Sequence, residues 1–344
     1  MTLAPLLLPF GGVRPFFAEP ARCGERTAIL GRARVGRGVR IGADTVLRAD
    51  GDDIIIGDGA TLGAHNSFHI ATGVHPCLIG RRVRIGDHCC IHACTVEDDC
   101  VIGDHVIVLD GSIVETGAVI ESGSIVYPRS RLDAGFVYGG APAQKLRPRE
   151  GTPGNSAAAE KPAEIYCVSP ASSIDASVFV AATARLKGTI RAKENSSIWF
   201  SCVFDAGAHD ISIGRNTNIQ DNTFITCADG PFSIADNSAI GHNVRLASAL
   251  IEENCLIGIG AVIAAGTRIE NSVFVAAGTV TRPGQVLEAS GFYAGNPVRR
   301  ISALDERKAE MIRNTVEGYR ENAQAFKALQ AAALAPLTST ARLR

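Results

Sequence analysis

Methionine and tryptophan are nearly missing from the 344-residue chain, at two and one, and aromatic residues make up only 6%. That poverty argues against a Met-rich helical bundle. Charge of one sign is also lacking: 34 Lys and Arg stand against 35 Asp and Glu, for a net charge of -1. No general electrostatic pull toward nucleic acid or an anionic membrane follows. Long apolar runs are absent as well. Leu3 to Phe10 is broken by Pro5 and Pro9 and has no basic segment before it, so it predicts neither a membrane span nor a signal peptide. Ten cysteines are too few for a disulfide scaffold in a chain of this length, and a reduced cytoplasmic setting is expected. Glycine, at 36, is plentiful and points to a turn-dense β architecture.

What the chain does have is a period of six. Aliphatic or aromatic residues recur at Ile29, Val35, Ile41 and Leu47, then Ile56, Leu62 and Phe68, then Ile79, Ile85 and Ile91, and from Val96 through Ile102, Val108, Val114 and Ile120 to Val126. Neither the helical period of 3.6 nor the strand period of 2 fits. A period of six is a short strand plus a corner, with one side chain per repeat pointing inward and Gly, Asp or Asn taking the unusual dihedrals. Three such strands make one turn of a triangular coil, and stacked turns pair as parallel sheets about 4.8 Å apart. The expected fold is all-β, a left-handed parallel β-helix.

The period starts again after Pro148. It runs through Ile174, Val180, Leu186, Ala192, Ile198 and Phe204, then Ile213, Ile219 and Ile225, Ile234, Ile240 and Leu246, and Ile251 to Val275. Its interruptions fall where those of the first run fall, so the chain reads as a tandem duplication. Residues 1–146 form the first coil, 147–164 a Pro-, Gly- and Ala-rich linker, 165–301 the second coil, and 302–344 a helix and tail. Ser302 is the expected N-cap with Asp305 three residues on. Ile312, Val316, Tyr319, Ala323 and Phe326 form one apolar stripe, which predicts a helix packed along a coil.

Each half resembles the gamma-class carbonic anhydrase family. The first half carries Val46-Leu47-Arg48-Ala49-Asp50 before Ile54-Ile55-Ile56-Gly57, and Ile91-His92-Ala93-Cys94-Thr95. The second carries Ser197-Ile198-Trp199, Asn218-Ile219-Gln220-Asp221, Ile240-Gly241-His242 and Gly295-Asn296-Pro297. The resemblance implies three histidines around zinc, or another divalent metal such as iron or cobalt, where neighbouring prisms of a trimer meet. An Arg-x-Asp and a Gln-Asp pair accompany them in that family. Such a site activates water for attack on carbon dioxide, giving bicarbonate.

Neither half carries the whole set. The first keeps Arg48, Asp50, His69 and His92 but has Gly63 and Ala64 in place of Gln-Asp, and Asp87 in place of a histidine. The second keeps Gln220, Asp221 and His242 but has Asp205, Gly207, Thr226 and Ala247 in the other positions. The expectation is a composite centre: His69 and His92 from the first half and His242 from the second as ligands, Gln220 orienting the metal-held water, and Arg48, Asp50 and Asp221 in support. Asp87 is the alternative third ligand, set against its reading as an ordinary corner residue like Asp58 and Asp104. His65, His75, His88, His105 and His209 read as corners or loops. Two rival functions stand beside the carbonate dehydratase lyase: a hexapeptide acyltransferase and a non-catalytic assembly subunit. The expected partners are a small-molecule substrate and further copies of the chain or a related β-helix subunit, with no nucleic acid and no membrane.

Overall fold

A computed structural model describes residues 4–151 and 166–334. Most of the expected linker, the first three residues and the last ten lie outside the described residues. The duplication is plain in the strand order: two left-handed parallel β-helices in which each two-to-three-residue strand pairs in parallel with its counterpart one turn on. Residues of the six-fold period fill the two coil interiors. Ile174 is the exception, at 37% exposed, because its strand Ser173–Ile174 opens the second coil and pairs on one side only. Among the described residues no helix is long and apolar enough to cross a membrane.

The corners explain the Asp, Asn and Gly content. Asp44, His65, His88 and His105 of the first coil have φ of 56–58°, and Asn222 and Asn243 of the second have 56° and 54°. That left-handed region is tolerated best by residues able to hydrogen-bond locally. Two eleven-residue strands, Val46–Ile56 and Val203–Ile213, bend around a corner and pair on two faces. Both coils then close with the same antiparallel hairpin, Phe136–Gly139 with Gln144–Pro148 and Gly291–Ala294 with Arg299–Ala303. The first coil therefore continues through Pro148, two residues beyond the boundary read from composition.

The two coils pack side by side. Asn222 of the second donates its amide to Asn66 O and Ser67 Oγ of the first, both at 3.0 Å, and Asn243 donates to His65 O at 3.0 Å. Above these bonds the contact is apolar, with Ile107, Leu109 and Ile125 against Ile259 and Ala277. Gly260 and Gly278 let the coils approach: a Cβ there would stand 2.2 and 1.9 Å from the Ile107 and Ile125 side chains.

Helix α1 (Glu306–Leu334) is capped by Asp305, whose Oδ1 accepts the Lys308 N–H at 2.9 Å. Ser302 lies instead in the closing strand Arg299–Ala303. The cap therefore falls three residues later than the expected Ser302, because the closing hairpin uses up the chain through Ala303. The helix buries Ile312, Val316, Ala323 and Phe326. Phe326 stacks on Phe10 of the first coil and packs edge-on against Trp199 and Phe200 of the second. The expected stripe thus seals one end of the boundary between coils.

Candidate metal centre

Strand register builds the first half of the site. Arg48, His69 and His92 are direct neighbours on three successive parallel strands, Val46–Ile56, Ser67–His69 and Cys90–His92. Parallel in-register pairing makes their side chains leave the same face one turn apart. On the second coil, Asn218–Ile219 pairs with Ala239–Ile240. That register carries Asp221 and His242, two residues beyond each pair, to neighbouring places at a corner facing the first coil.

The structure brings His69, His92 and His242 together, each offering a nitrogen within 4.8 Å of the others'. Asp87 stands apart from them: its Oδ1 accepts the Ala64 N–H at 2.7 Å, and its own N–H donates to Asp104 Oδ1. The carboxylate is occupied in closing a corner. Gln220 is buried and donates its amide to Asn218 Oδ1 at 3.0 Å. Among the described residues no hydrogen bond joins it to the three imidazoles.

Carboxylates fix the tautomers of the two first-coil imidazoles. His69 Nε2 donates to Asp50 Oδ1 at 2.9 Å, and His92 Nδ1 donates to Asp110 Oδ1 at 2.6 Å. The remaining nitrogens, His69 Nδ1 and His92 Nε2, face each other at 3.1 Å. With both rings neutral, each presents a lone pair to the other, an arrangement that needs a cation or shared proton between them. Two nitrogens on one tetrahedral zinc stand roughly 3.3 Å apart. His242 is 1% exposed in its side chain. Its Nδ1 lies 3.3 Å from Asp221 Oδ2 but off the hydrogen-bonding direction, and it has no hydrogen-bond partner among the described residues.

The electrostatics match this donor set. Burial pushes His69 down to about 3, helped by the Arg48 charge, and pushes His242 down to about 4 despite Asp221. Both rings are therefore neutral ligands at ordinary pH. Burial opposes ionisation of Asp50, Asp221 and Asp110, yet Arg48 beside the first two and the His92 bond to the third outweigh it, with Asp221 held at about 2. Three carboxylates against the single Arg48 guanidinium leave two negative charges around the three imidazoles, the complement of a divalent cation. The residues present fit such an ion.

Arg48 ties the halves together. Its Nη1 donates to Asp50 Oδ2 at 2.5 Å, its Nε to Asp221 Oδ2 of the other coil at 2.8 Å, and its Nη2 to the Tyr319 hydroxyl at 2.6 Å. The guanidinium also lies 4.6 Å from the Trp199 ring centroid, a cation–π contact. Tyr319 Oη stands 3.2 Å from His242 Nε2. In the sequence Tyr319 reads as one of the stripe residues, and its only distinguishing signal is a hydroxyl in an otherwise apolar stripe. Asp110 was also missed, since an Asp before Gly at a corner looks like any turn residue.

The other histidines are more ordered than corners and loops suggest. His65, His88 and His105 stack along one corner at 4.8 and 4.9 Å between centroids. Arg245 of the second coil donates to His105 Nδ1 at 3.0 Å, and Phe224 packs on His65 and His88. His75 sits in a loop, its Nδ1 2.8 Å from Pro76 O. All ten cysteines are free thiols, and burial pushes Cys89, Cys100 and Cys255 up to about 12.

Comparison with known proteins follows the two halves. Residues 94–128 and 249–281 match the hexapeptide repeat of succinyl-transferase. A carbonic anhydrase of Geobacillus kaustophilus is 41% identical over 161 residues, which cover 46% of this chain and 87% of that protein. Gamma carbonic anhydrase 1, mitochondrial, of Arabidopsis thaliana is 32% identical over 162 residues, 45% of this chain and 59% of that protein. This chain spans only 36% and 37% of the lengths of the plant's gamma carbonic anhydrases 2 and 3. A solved structure from Desulfovibrio desulfuricans G20 covers 90% of this chain and 81% of its own at a TM-score of 0.50, with 11% identity, a likeness of fold alone.

Replacing Arg48 by Ala leaves two buried carboxylates without their cation, and the expected loss is about 3–5 kcal/mol at neutral pH. With Arg48 present, Asp50 and Asp221 titrate below the unfolded value of 3.8, so their contribution is complete above that pH and lost as pH falls through about 2. Without it, burial loses its strongest opponent, the His69 and His242 contacts compensate only in part, and the native pKa values rise. Denaturant unfolding of Arg48→Ala against wild type should therefore show a deficit that shrinks on acidification toward pH 4. A deficit independent of pH would contradict this electrostatic account.

Proposed function

The chain belongs to the gamma-class carbonic anhydrase-like family of hexapeptide-repeat β-helices, as a tandem duplication, and on that premise we propose that it is a metal-dependent carbonate dehydratase with one composite site per chain. The observation that carries this reading is the convergence of His69 and His92 from one coil with His242 from the other. These three residues would hold a divalent ion, zinc or else iron or cobalt, which would supply an acidified water for attack on carbon dioxide.

The chain's own groups divide the remaining work. Asp50 holds the His69 tautomer with Nδ1 turned inward. Arg48 fixes Asp50 and Asp221 in the buried boundary, so that the two coils cannot slide without separating opposite charges. The apolar contact of Ile107, Leu109 and Ile125 with Ile259 and Ala277 holds the same two coils together. Gln220 would need to turn from Asn218 to orient a water. A reducing compartment such as the cytoplasm suits ten free thiols.

Association with further coils belongs to the same proposal. The first coil buries Ile107 against its neighbour, while the matching position on the second coil, Val262, is 37% exposed. That outward face would receive a coil of a second copy or of a related chain. Light scattering should give a mass above the 36.1 kDa of one chain; a monomer at micromolar concentration would count against association.

Metal analysis of the full chain tests the central reading. Wild type is expected to hold one divalent ion per chain and to hydrate carbon dioxide in a metal-dependent way. His69→Ala, His92→Ala and His242→Ala should each lose most of the bound metal and the activity. Full metal retention in His242→Ala would rule out sharing between the halves. A wild type that binds no metal would leave the inert assembly subunit as the better description.

A further inference from the structure

Among the three carboxylates around the imidazoles, Asp110 is the one that no motif singles out. It follows Leu109 at a corner of the first coil, and its Oδ1 receives the His92 Nδ1–H at 2.6 Å. Its side chain is 47% exposed, so it stands at the rim of the centre and not in the buried boundary. The ordinary explanation for an Asp before a Gly is that the turn requires it. The duplicated half of the chain provides an internal control for that explanation.

In the second coil, strand pairing sets Thr226, Ala247 and Ala265 where the first has His69, His92 and Asp110. The two corners are otherwise the same. Gly111 has φ 69° and donates to Ala93 O at 2.7 Å; Gly266 has φ 72° and donates to Ser248 O at 2.7 Å. Ser112 N bonds Leu109 O and Thr267 N bonds Ala264 O, each at 3.2 Å. The carbonyls of Asp110 and Ala265 both accept from the next turn, at 2.8 and 2.9 Å. An alanine therefore makes the same corner with the same hydrogen bonds, and the turn has no need of the aspartate.

The aspartate is present in the half with the two imidazoles and replaced in the half without them. Building on the metal-site reading above, we propose that Asp110 is a positioning residue for His92: it holds the Nδ1 proton, turns the Nε2 lone pair toward the ion and contributes one of the negative charges that balance it. Anchoring carboxylates of this kind commonly change metal affinity by about 10–100-fold. The role is distinct from that of Asp50, which is locked to Arg48, because among the described residues the only side-chain partner of Asp110 is the His92 imidazole.

Titration of the metal-free full chain with zinc and with cobalt tests the assignment, using Asp110→Ala, Asp110→Asn and His92→Ala beside wild type. The expected result is affinity about 10–100-fold weaker in both Asp110 variants, with an altered cobalt visible spectrum. Melting of the metal-free protein should be unchanged, since Ala265 already supports the equivalent corner. Wild-type affinity and spectrum in both Asp110 variants, with metal lost in His92→Ala, would overturn the assignment and leave the composite site standing. Equal binding by wild type and His92→Ala would overturn both. A lower melting point of the metal-free variants with unaltered cobalt coordination would return Asp110 to a purely structural role.

Discussion

The guanidinium of Arg48 is the constraint on which the rest of the boundary depends. It is fully buried, and burial alone would expel its charge, but Asp50 of its own coil and Asp221 of the other hold it above its usual range. A buried ion pair of this kind adds little net stability, since desolvation consumes most of its attraction. Its effect is on geometry. The placement that satisfies both carboxylates and Tyr319 together also carries His242 to His69 and His92. Helix α1 then closes the end of the boundary, Phe326 packing on both coils and Tyr319 reaching the charge cluster.

Duplication has allowed the two copies to differ. A coil that meets identical copies must carry both sides of a shared site; two fused coils can each keep one. The first coil has the imidazole pair with Asp50 and Asp110, and the second has His242 with Asp221. Substituted positions have been taken over by other demands. Asp87 caps a corner where the second coil has His242, and Gly63 leaves no room for a side chain, as a Cβ there would stand 2.3 Å from Asp87 Oδ1. The missing ligand and the missing Gln-Asp pair of the first coil are thus accommodated together.

Much of this was legible in the residues because the period of six is a covalent regularity. Each inward position of a β-helix is fixed by local spacing, so Ile29 through Val126 fell inside as expected, and counting turns was enough to set His69 beside His92. Features that depend on one element meeting another were not legible. Tyr319 is one position in a helical stripe until the helix is docked, and its hydroxyl acquires a role only through Arg48, far away in sequence. Asp110 resembles every other corner aspartate until His92 is seen beside it. The stack of His65, His88 and His105 follows from their shared corner register, which the sequence contains but which is visible only once the turns are superposed. The displaced N-cap has the same origin: the closing hairpin runs through Ala303, and only tertiary pairing places that strand.

The central claim is that one ion is shared by two coils of a single chain. Anomalous diffraction at the zinc edge, from crystals of the full chain grown with zinc, addresses it most directly. The account predicts one strong peak per chain, bounded by the imidazoles of His69, His92 and His242 of that same chain. A peak held by His69, His92 and a group from another molecule, or no peak among these three side chains at saturating zinc, would contradict it.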